Sequence, residues 1–219
     1  MNETLRRVFL RLHYPIEVIL TCVRSYVAYP LSLRQLQEMM AERGIAVDQS
    51  TIHRWAIKML PVLAAVCGRR KRPVGRSWRM DATYIKVAGQ WKYLYRAVDK
   101  TGATVDFPLR AKRDHAAARA FFERAIGLHE VPQKIAIDKS GSNKAALASI
   151  QADTGLTIEM RQSKSLNNII DRDHRAIKRV TRPTLGFKTF RCARIIIAGI
   201  ETMHLIRKSQ LGDIKDQDS

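Results

Sequence analysis

Hydrophobic residues in the first part of the chain recur at the spacing of an α-helix. Four of them share one face of a helix predicted over 32–43: Leu33, Leu36, Met39 and Met40. Ser32 is placed to cap that helix and Gly44 to end it. A second amphipathic segment follows at 51–60, with Pro61 just past its predicted end and three possible caps before it: Asp48, Gln49 and Ser50. Helix, short glycine-containing turn and helix predict a helix-turn-helix.

From Ser77 onward the apolar residues fall in short runs rich in Val, Ile, Tyr, Trp and Thr, which are typical of strands. Strands are predicted at 77–87, 91–99, 104–109, 134–138 and 156–161, and helices at 114–129, 143–152, 166–180 and 191–208. Three hairpin-linked strands followed by alternating helices and strands predict an α/β fold, a mixed sheet with flanking helices. The apolar run 195–205 is expected to pack on that sheet or against a second subunit. Three tryptophans are expected in the core: Trp55, Trp78 and Trp91.

These patterns divide the chain into four parts. Residues 1–67 form a small all-α helix-turn-helix region, 68–76 a basic linker, 77–210 the α/β domain and 211–219 a polar tail. The linker carries four consecutive cations, which act as a solvated connector or as a phosphate-binding arm: Arg69, Arg70, Lys71 and Arg72.

The charge balance indicates a polyanionic partner. The chain has 39 Lys and Arg against 20 Asp and Glu, a formal charge of +19. With a helix-turn-helix present, double-stranded DNA is the expected partner, and structured RNA is the alternative. Five residues are expected on the outer side of the second helix, where base and phosphate contacts form: Ser50, Thr51, His53, Arg54 and Lys58.

Several protein classes are excluded by composition. The apolar runs are shorter than the roughly 20 residues that span a bilayer, and no signal peptide is expected. Three widely spaced cysteines form no disulfide framework and favour a reducing location, the cytoplasm or nucleoid of a bacterium. The six histidines have no zinc-site spacing, although His174 stands close to an acid of interest.

Aspartates stand where a buried strand or helix makes a charge costly. Asp81 lies inside the first predicted strand and Asp138 ends the fourth. An ion pair or surface exposure would explain either residue alone, whereas together they suggest a site for Mg²⁺, which prefers carboxylate oxygens. A third acid would come from the helix 166–180, which offers Asp171 and Asp173 on different faces, so only one of them is expected to serve the site.

Several long blocks of the chain resemble, in the same order, the bacterial insertion-sequence transposases of the DDE superfamily, insertion sequence family six. They include Trp78-Arg79-Met80-Asp81 and Asp173-His174-Arg175, and they cover 78–87, 89–100, 137–139, 166–168, 173–179, 182–183 and 185–188. The helix-turn-helix region is also similar to the N-terminal part of that family. The resemblance implies an RNase H-like catalytic domain.

The resemblance also implies the site and the reaction. Asp81, Asp138 and Asp171 become the catalytic acids and the ligands of two Mg²⁺ ions, with Mn²⁺ as a possible substitute. Three cations on the helix of the third acid are implied DNA contacts: Arg175, Lys178 and Arg179. The implied reaction is phosphodiester cleavage at the element's terminal inverted repeats and transfer of the freed 3′-OH to target DNA. Because two DNA ends are joined, a homo-oligomer is expected.

Two residues depart from the family pattern. Asp171 stands where the family usually has Glu, and Ala82 where a second Glu usually follows the first aspartate. Aspartate is one methylene shorter, which bears on whether its carboxylate reaches the metal. The alternative function is therefore a catalytically impaired transposase relic that acts only as a sequence-specific DNA-binding protein.

Overall fold

A computed structural model describes residues 13–138, 141–162 and 168–212 of the chain. Its helices are α1 (Ile16–Ala28), α2 (Leu33–Ala41), α3 (Gln49–Arg69), α4 (His115–Leu128), α5 (Gly141–Thr154), α6 (Asn168–Thr181) and α7 (Phe190–Arg207). Its strands are β1 (Ser77–Val87), β2 (Gln90–Asp99), β3 (Thr104–Asp106), β4 (Leu109–Arg110), β5 (Lys134–Ile137) and β6 (Glu159–Gln162). A short 3₁₀ turn, Arg182–Thr184, lies between α6 and α7.

The chain forms two compact units. One consists of Pro73–Ala176 and the other of Met1–Arg72 with Ile177–Ser219. The first unit is smaller than the predicted domain 77–210, because α7 packs with the N-terminal helices instead of on the sheet. The assignment of functions to 1–67, 68–76, 77–210 and 211–219 stays a prediction, and residues 1–12 and 213–219 lie outside the described residues.

The unit 73–176 is built on a mixed sheet with strand order β3-β2-β1-β5-β6, and β4 also pairs with β2. β1 pairs antiparallel with β2 and parallel with β5, so β1 is central. The predicted strand 104–109 is interrupted, because Pro108 has no N–H to donate to a ladder and its carbonyl instead accepts from the Tyr95 N–H at 3.1 Å. The predicted mixed α/β sheet is confirmed.

One face of this sheet is covered by α4 and α5, which pack on each other. Strand residues alternate between faces, so alternate side chains in the first half of β1 point into the same core. That core contains Trp78 and Met80 from β1, Tyr95 and Ala97 from β2, and the α4 and α5 side chains Phe121, Phe122, Leu147 and Ile150. The opposite face of β1 carries Asp81, together with the buried Thr83 and Ile85.

The helical unit contains the predicted helix pair, α2 and α3. Ser32 and Gln35 form a reciprocal capping box at the start of α2, and the Asp48 side chain caps α3. The prediction that the second helix stops before Pro61 is wrong, since α3 continues through it to Arg69. Pro61 removes one backbone hydrogen bond, but its ring is exposed and the helix is held by packing on α1 and α7.

The apolar helix α7 does not pack on the sheet as expected but against α1 and α3 of its own unit. Gly199 allows the close approach: a Cβ there would come within 2.7 Å of Leu60 Cδ2. Trp91 is also not in the core, because 61% of its surface is exposed, whereas Trp55 and Trp78 are buried as predicted. No described helix combines the length and the apolarity required to cross a bilayer.

Candidate active site

Asp81 lies on the central strand β1, on the face opposite the α4–α5 core. Its Oδ1 accepts a hydrogen bond from the Ala82 N–H at 2.8 Å. Burial raises the pKa of Asp81, the neighbouring carboxylates Asp138 and Asp171 raise it further, and Arg113 acts in the opposite direction. A carboxyl group with a raised pKa beside two other acids marks a concentration of negative charge that a cation would relieve.

Asp138 follows β5 and reaches the same region because β5 runs parallel to β1. Arg79 is paired with Ala136, so two residues further along each strand Asp81 and Asp138 stand side by side. Arg113 donates from a terminal guanidinium nitrogen to Asp138 Oδ2 at 2.5 Å, and the buried Asn143 donates to Oδ1 at 2.9 Å. The second acid is therefore held in place from two sides.

Asp171 brings the third carboxylate from the first turn of α6. One oxygen each of Asp81 and Asp171 and one ring nitrogen of the buried His174 all lie within 4.8 Å of one another. Asp171 and His174 are one turn apart, so both project toward β1. His174, which the sequence marked only for its proximity to an acid, thus joins the cluster.

Asp173, the other acid of this helix, points away from the cluster. Its Oδ2 accepts from the Nε of Arg96 on β2 at 3.0 Å, and Arg96 also donates to the Thr104 hydroxyl at 3.1 Å. Arg96 is fully buried. Asp171 lies at the cluster and Asp173 fastens α6 to the sheet, and the assignment of one of these acids to the site stays a prediction.

The donor set fits a hard divalent cation. Three carboxylates converge from β1, the end of β5 and α6, and carboxylate oxygens are the ligands that Mg²⁺ and Mn²⁺ prefer. Burial is the largest cause of the raised pKa of Asp81, and a bound cation would offset the smaller contribution of the like charges Asp138 and Asp171. His174 offers one additional nitrogen donor.

Arg113, Asn143 and Arg96 were not found by sequence reasoning. Arg113 stands in the connection between β4 and α4, and no strand or helix period marks it. Burial lowers the pKa of Arg113, but the Asp138 carboxylate and the Tyr84 side chain outweigh burial, so its pKa is raised. The sequence contains many arginines, and no local pattern distinguishes the ones that pair with an acid.

The predicted DNA-binding face of α3 is partly occupied by internal contacts. Arg54 and Lys58 are exposed. The side-chain hydroxyls of Ser50 and Thr51 donate to the Asp48 carboxylate at 2.5 Å and 2.7 Å. His53 differs from expectation, because its Nε2 lies 3.9 Å from Cys192 Sγ on α7, and burial together with Lys188 lowers its pKa.

The cations of the predicted linker do not form a free connector. Arg69 ends α3 and is exposed, as is Arg70. Lys71 forms an isolated β-bridge with Leu211, and the Arg72 N–H donates to the Gln210 carbonyl at 2.9 Å. On α6, the three predicted DNA contacts are all exposed: Arg175, Lys178 and Arg179.

Comparison with known proteins identifies relatives across most of the chain. A family model described as a DDE domain, of the IS240 transposase type, matches residues 75–210. The chain is 38% identical over 194 residues to the transposase for insertion sequence-like element IS431mec of Staphylococcus aureus, covering 88% of this chain and 85% of the relative. The transposase for insertion sequence element IS257 in transposon Tn4003, also from Staphylococcus aureus, shows the same identity and coverage.

The HTLV-2 integrase catalytic core domain in complex with magnesium has a TM-score of 0.47 and 17% sequence identity, covering 66% of this chain and 93% of that chain.

Proposed function

Since the chain belongs to the DDE transposase family, with relatives of the IS431 and IS257 type and an RNase H-like domain, we propose that it cleaves DNA strands at the ends of an insertion element and transfers them to target DNA. The observation that carries this proposal is the convergence of three carboxylates, Asp81, Asp138 and Asp171, from separate elements of one unit. Separate carboxylates brought together in this way are costly unless they bind a cation.

The proposed cofactor is Mg²⁺, as two ions, with Mn²⁺ as a substitute. Asp81, Asp138 and Asp171 would hold it, and His174 is within reach of two of them. Bound divalent ions would stabilise charge on the phosphodiester and on the attacking and leaving oxygens. The chain's own contribution is preorganisation. Asn143 orients Asp138, and the Arg96–Asp173 pair holds the turn of α6 that presents Asp171.

Double-stranded DNA, as the element's terminal inverted repeats and as target, is the proposed substrate. Exposed cations support this assignment: Arg54 and Lys58 on α3, Arg69 and Arg70 at its end, and Arg175, Lys178 and Arg179 on α6. The remaining predicted contacts, Ser50, Thr51, His53, Lys71 and Arg72, stay proposals although each has an internal contact. A homo-oligomer in the bacterial cytoplasm, associated with the nucleoid, is proposed because two ends must be joined.

A strand-transfer assay tests the site. The substrate is a duplex carrying the ends found beside the gene, with Mg²⁺ or EDTA. Asp81→Asn, Asp138→Asn and Asp171→Asn each remove a carboxylate charge with little change in volume, and each is expected to abolish transfer while duplex binding persists. Asp153→Asn is the matched control, because Asp153 is an exposed acid of the same unit that pairs with Arg119. Activity retained by any of the three site variants would refute its assignment.

The shorter third acid favours one alternative, a relic that binds DNA without cleaving it. The proximity of Asp171 to Asp81 and His174 supports activity instead. Asp171→Glu separates the two functions in the same assay. Transfer by the wild type at a rate equal to or above that of Asp171→Glu supports the enzyme, whereas transfer by Asp171→Glu alone supports the relic.

A further inference from the structure

An aromatic surface lies near the end of the β1–β2 hairpin, in the same unit as the acidic cluster. Tyr84 is paired with Tyr93 and Lys86 with Trp91, so these four side chains share one face of the hairpin. We call them the hairpin patch. Trp91 is 61% exposed and Tyr84 46% exposed. Contiguous exposed apolar surface of this kind often marks an interaction site.

The rings of the hairpin patch support one another. The Tyr84 and Trp91 centroids are 6.3 Å apart at 76°, and the Tyr84 and Tyr93 centroids are 5.3 Å apart at 55°. Lys86 Nζ lies 6.0 Å from the Trp91 ring centroid. The hairpin pairing and these edge contacts limit the freedom of the rings, so a flat ligand could bind Trp91 with little ordering cost.

The border of the hairpin patch is positively charged. Lys86 is itself a member of the hairpin patch. Beside the patch, Arg110 on β4 is paired with Tyr93, and Arg113 contacts the Tyr84 side chain. Arg113 also donates to Asp138, which connects the hairpin patch to the proposed second acid of the active site. Aromatic rings flanked by Lys and Arg are the chemistry that binds single-stranded nucleic acid, with bases on the rings and phosphates on the cations.

We propose that the hairpin patch binds an unpaired DNA base, with Trp91 as the stacking surface and Lys86 as a phosphate contact. The proposed function supplies only the identity of the DNA that would bind. The binding of an unpaired base by the hairpin patch does not depend on the proposed function. A base that leaves the duplex loses stacking with its neighbours, and an exposed indole replaces that stacking. The charge of the border favours DNA over an apolar partner such as a second copy of the chain.

Intrinsic fluorescence gives a direct test, because Trp91 is exposed while Trp55 and Trp78 are buried. The full-length protein is titrated in EDTA with a short mixed-sequence single strand and with the corresponding duplex. Wild-type fluorescence is expected to be quenched by the single strand at lower concentration than by the duplex. Trp91→Phe keeps an aromatic ring and is expected to lose the quenching while keeping most of the affinity.

Trp91→Ala is expected to weaken single-strand binding by about tenfold, within the usual value of one stacked base. Lys86→Ala should weaken it less. Leu128→Ala is the matched control, because Leu128 is 60% exposed in the same unit but lies at the end of α4, and it should bind as the wild type does. Circular dichroism checks that each variant folds.

Two results would overturn the proposal. One is single-strand affinity of Trp91→Ala equal to that of the wild type. The other is a Trp91 signal that responds to protein concentration and not to DNA, which would make the hairpin patch a self-association surface. Because EDTA prevents the chemistry, a failed strand-transfer assay with intact quenching would count against the proposed function and not against the hairpin patch.

Discussion

Two arginine–aspartate pairs in the unit 73–176 have the same chemistry in different surroundings. The side chains of Arg96 and Asp173 are 0% and 13% exposed, whereas those of Arg113 and Asp138 are 22% and 25% exposed. Arg96 also donates to Thr104, while the Nε of Arg113 has no hydrogen-bond partner among the described residues. The first pair is enclosed, whereas the second is partly exposed and leaves the buried Nε of Arg113 without a partner among the described residues.

The difference in exposure distinguishes a contact that stabilises the fold from a contact that can change its partner. Breaking a buried pair leaves one charge without water or partner, which is strongly unfavourable. A pair at the surface can exchange its partner for water, a cation or a phosphate at little cost. Arg96–Asp173 therefore holds α6 on the sheet, whereas Arg113 is expected to leave Asp138 if a cation binds there.

The largest expected effect comes from Asp173→Ala. It leaves the Arg96 guanidinium buried and unpaired, and we expect the free energy of unfolding to fall by about 3–5 kcal/mol. Urea denaturation followed by circular dichroism measures it. Asp153→Ala, which breaks an exposed pair with Arg119, should cost less than about 1 kcal/mol. A loss of less than about 1 kcal/mol for Asp173→Ala would show that the pair is not enclosed.

The double variant Arg96→Met with Asp173→Leu removes both buried charges at similar volume. We expect it to recover most of the stability lost in Asp173→Ala, to within roughly 1–2 kcal/mol of the wild type, because apolar replacements of a buried pair are often neutral. The same urea titration decides the outcome. No recovery at all would mean that the geometry of the pair, and not its charge balance, holds α6.

Arg113→Gln should change the affinity for a metal ion more than it changes stability. Stability is expected to change by less than about 1 kcal/mol, as for other partly exposed pairs. The affinity for Mn²⁺ alone should rise about tenfold, because a cation that competes for Asp138 is removed. Isothermal titration calorimetry without DNA measures the affinity, with Arg119→Gln as the control. Unchanged or weaker Mn²⁺ binding would contradict the displacement of Arg113.

The smallest effect concerns Asp99, a buried acid held by donors other than arginine. Burial raises its pKa, but hydrogen bonds from the Gly75, Thr101 and Ala103 N–H groups and the Thr101 hydroxyl outweigh burial, so its pKa is lowered. The ionised form therefore stabilises the fold above the ordinary pKa of 3.8, and the gain is lost as pH falls through the lowered value.

Asp99→Asn should accordingly destabilise the protein by about 1 kcal/mol at neutral pH. The difference from the wild type should shrink below pH 3.8. Thermal melts at neutral and acidic pH measure it. A difference that does not depend on pH would show that the carboxylate charge is not what the amide donors stabilise.

Local signals in the sequence were sufficient for most elements. Ser32 and Asp48 are caps because their side-chain oxygens accept from amides three residues ahead, at 3.2 Å and 2.9 Å. Runs rich in Val, Ile, Tyr, Trp and Thr located β1 and β2, and an apolar run ending in Asp138 located β5. Such features depend on neighbours in the chain, so they can be read without knowing the fold.

Contacts between distant residues required the tertiary structure. The choice of Asp171 over Asp173 depends on Arg96, which is 77 positions away in the chain from Asp173. The contact between Arg113 and Asp138 also joins residues that are distant in the chain, and so does the packing of the apolar residues of α7 on α1 and α3. Hydrophobic periodicity shows which side chains are apolar but not which other residues cover them. The exposure of Trp91 and the approach of Asp81, Asp138 and Asp171 to one another therefore depend on long-range packing, which the sequence alone does not reveal.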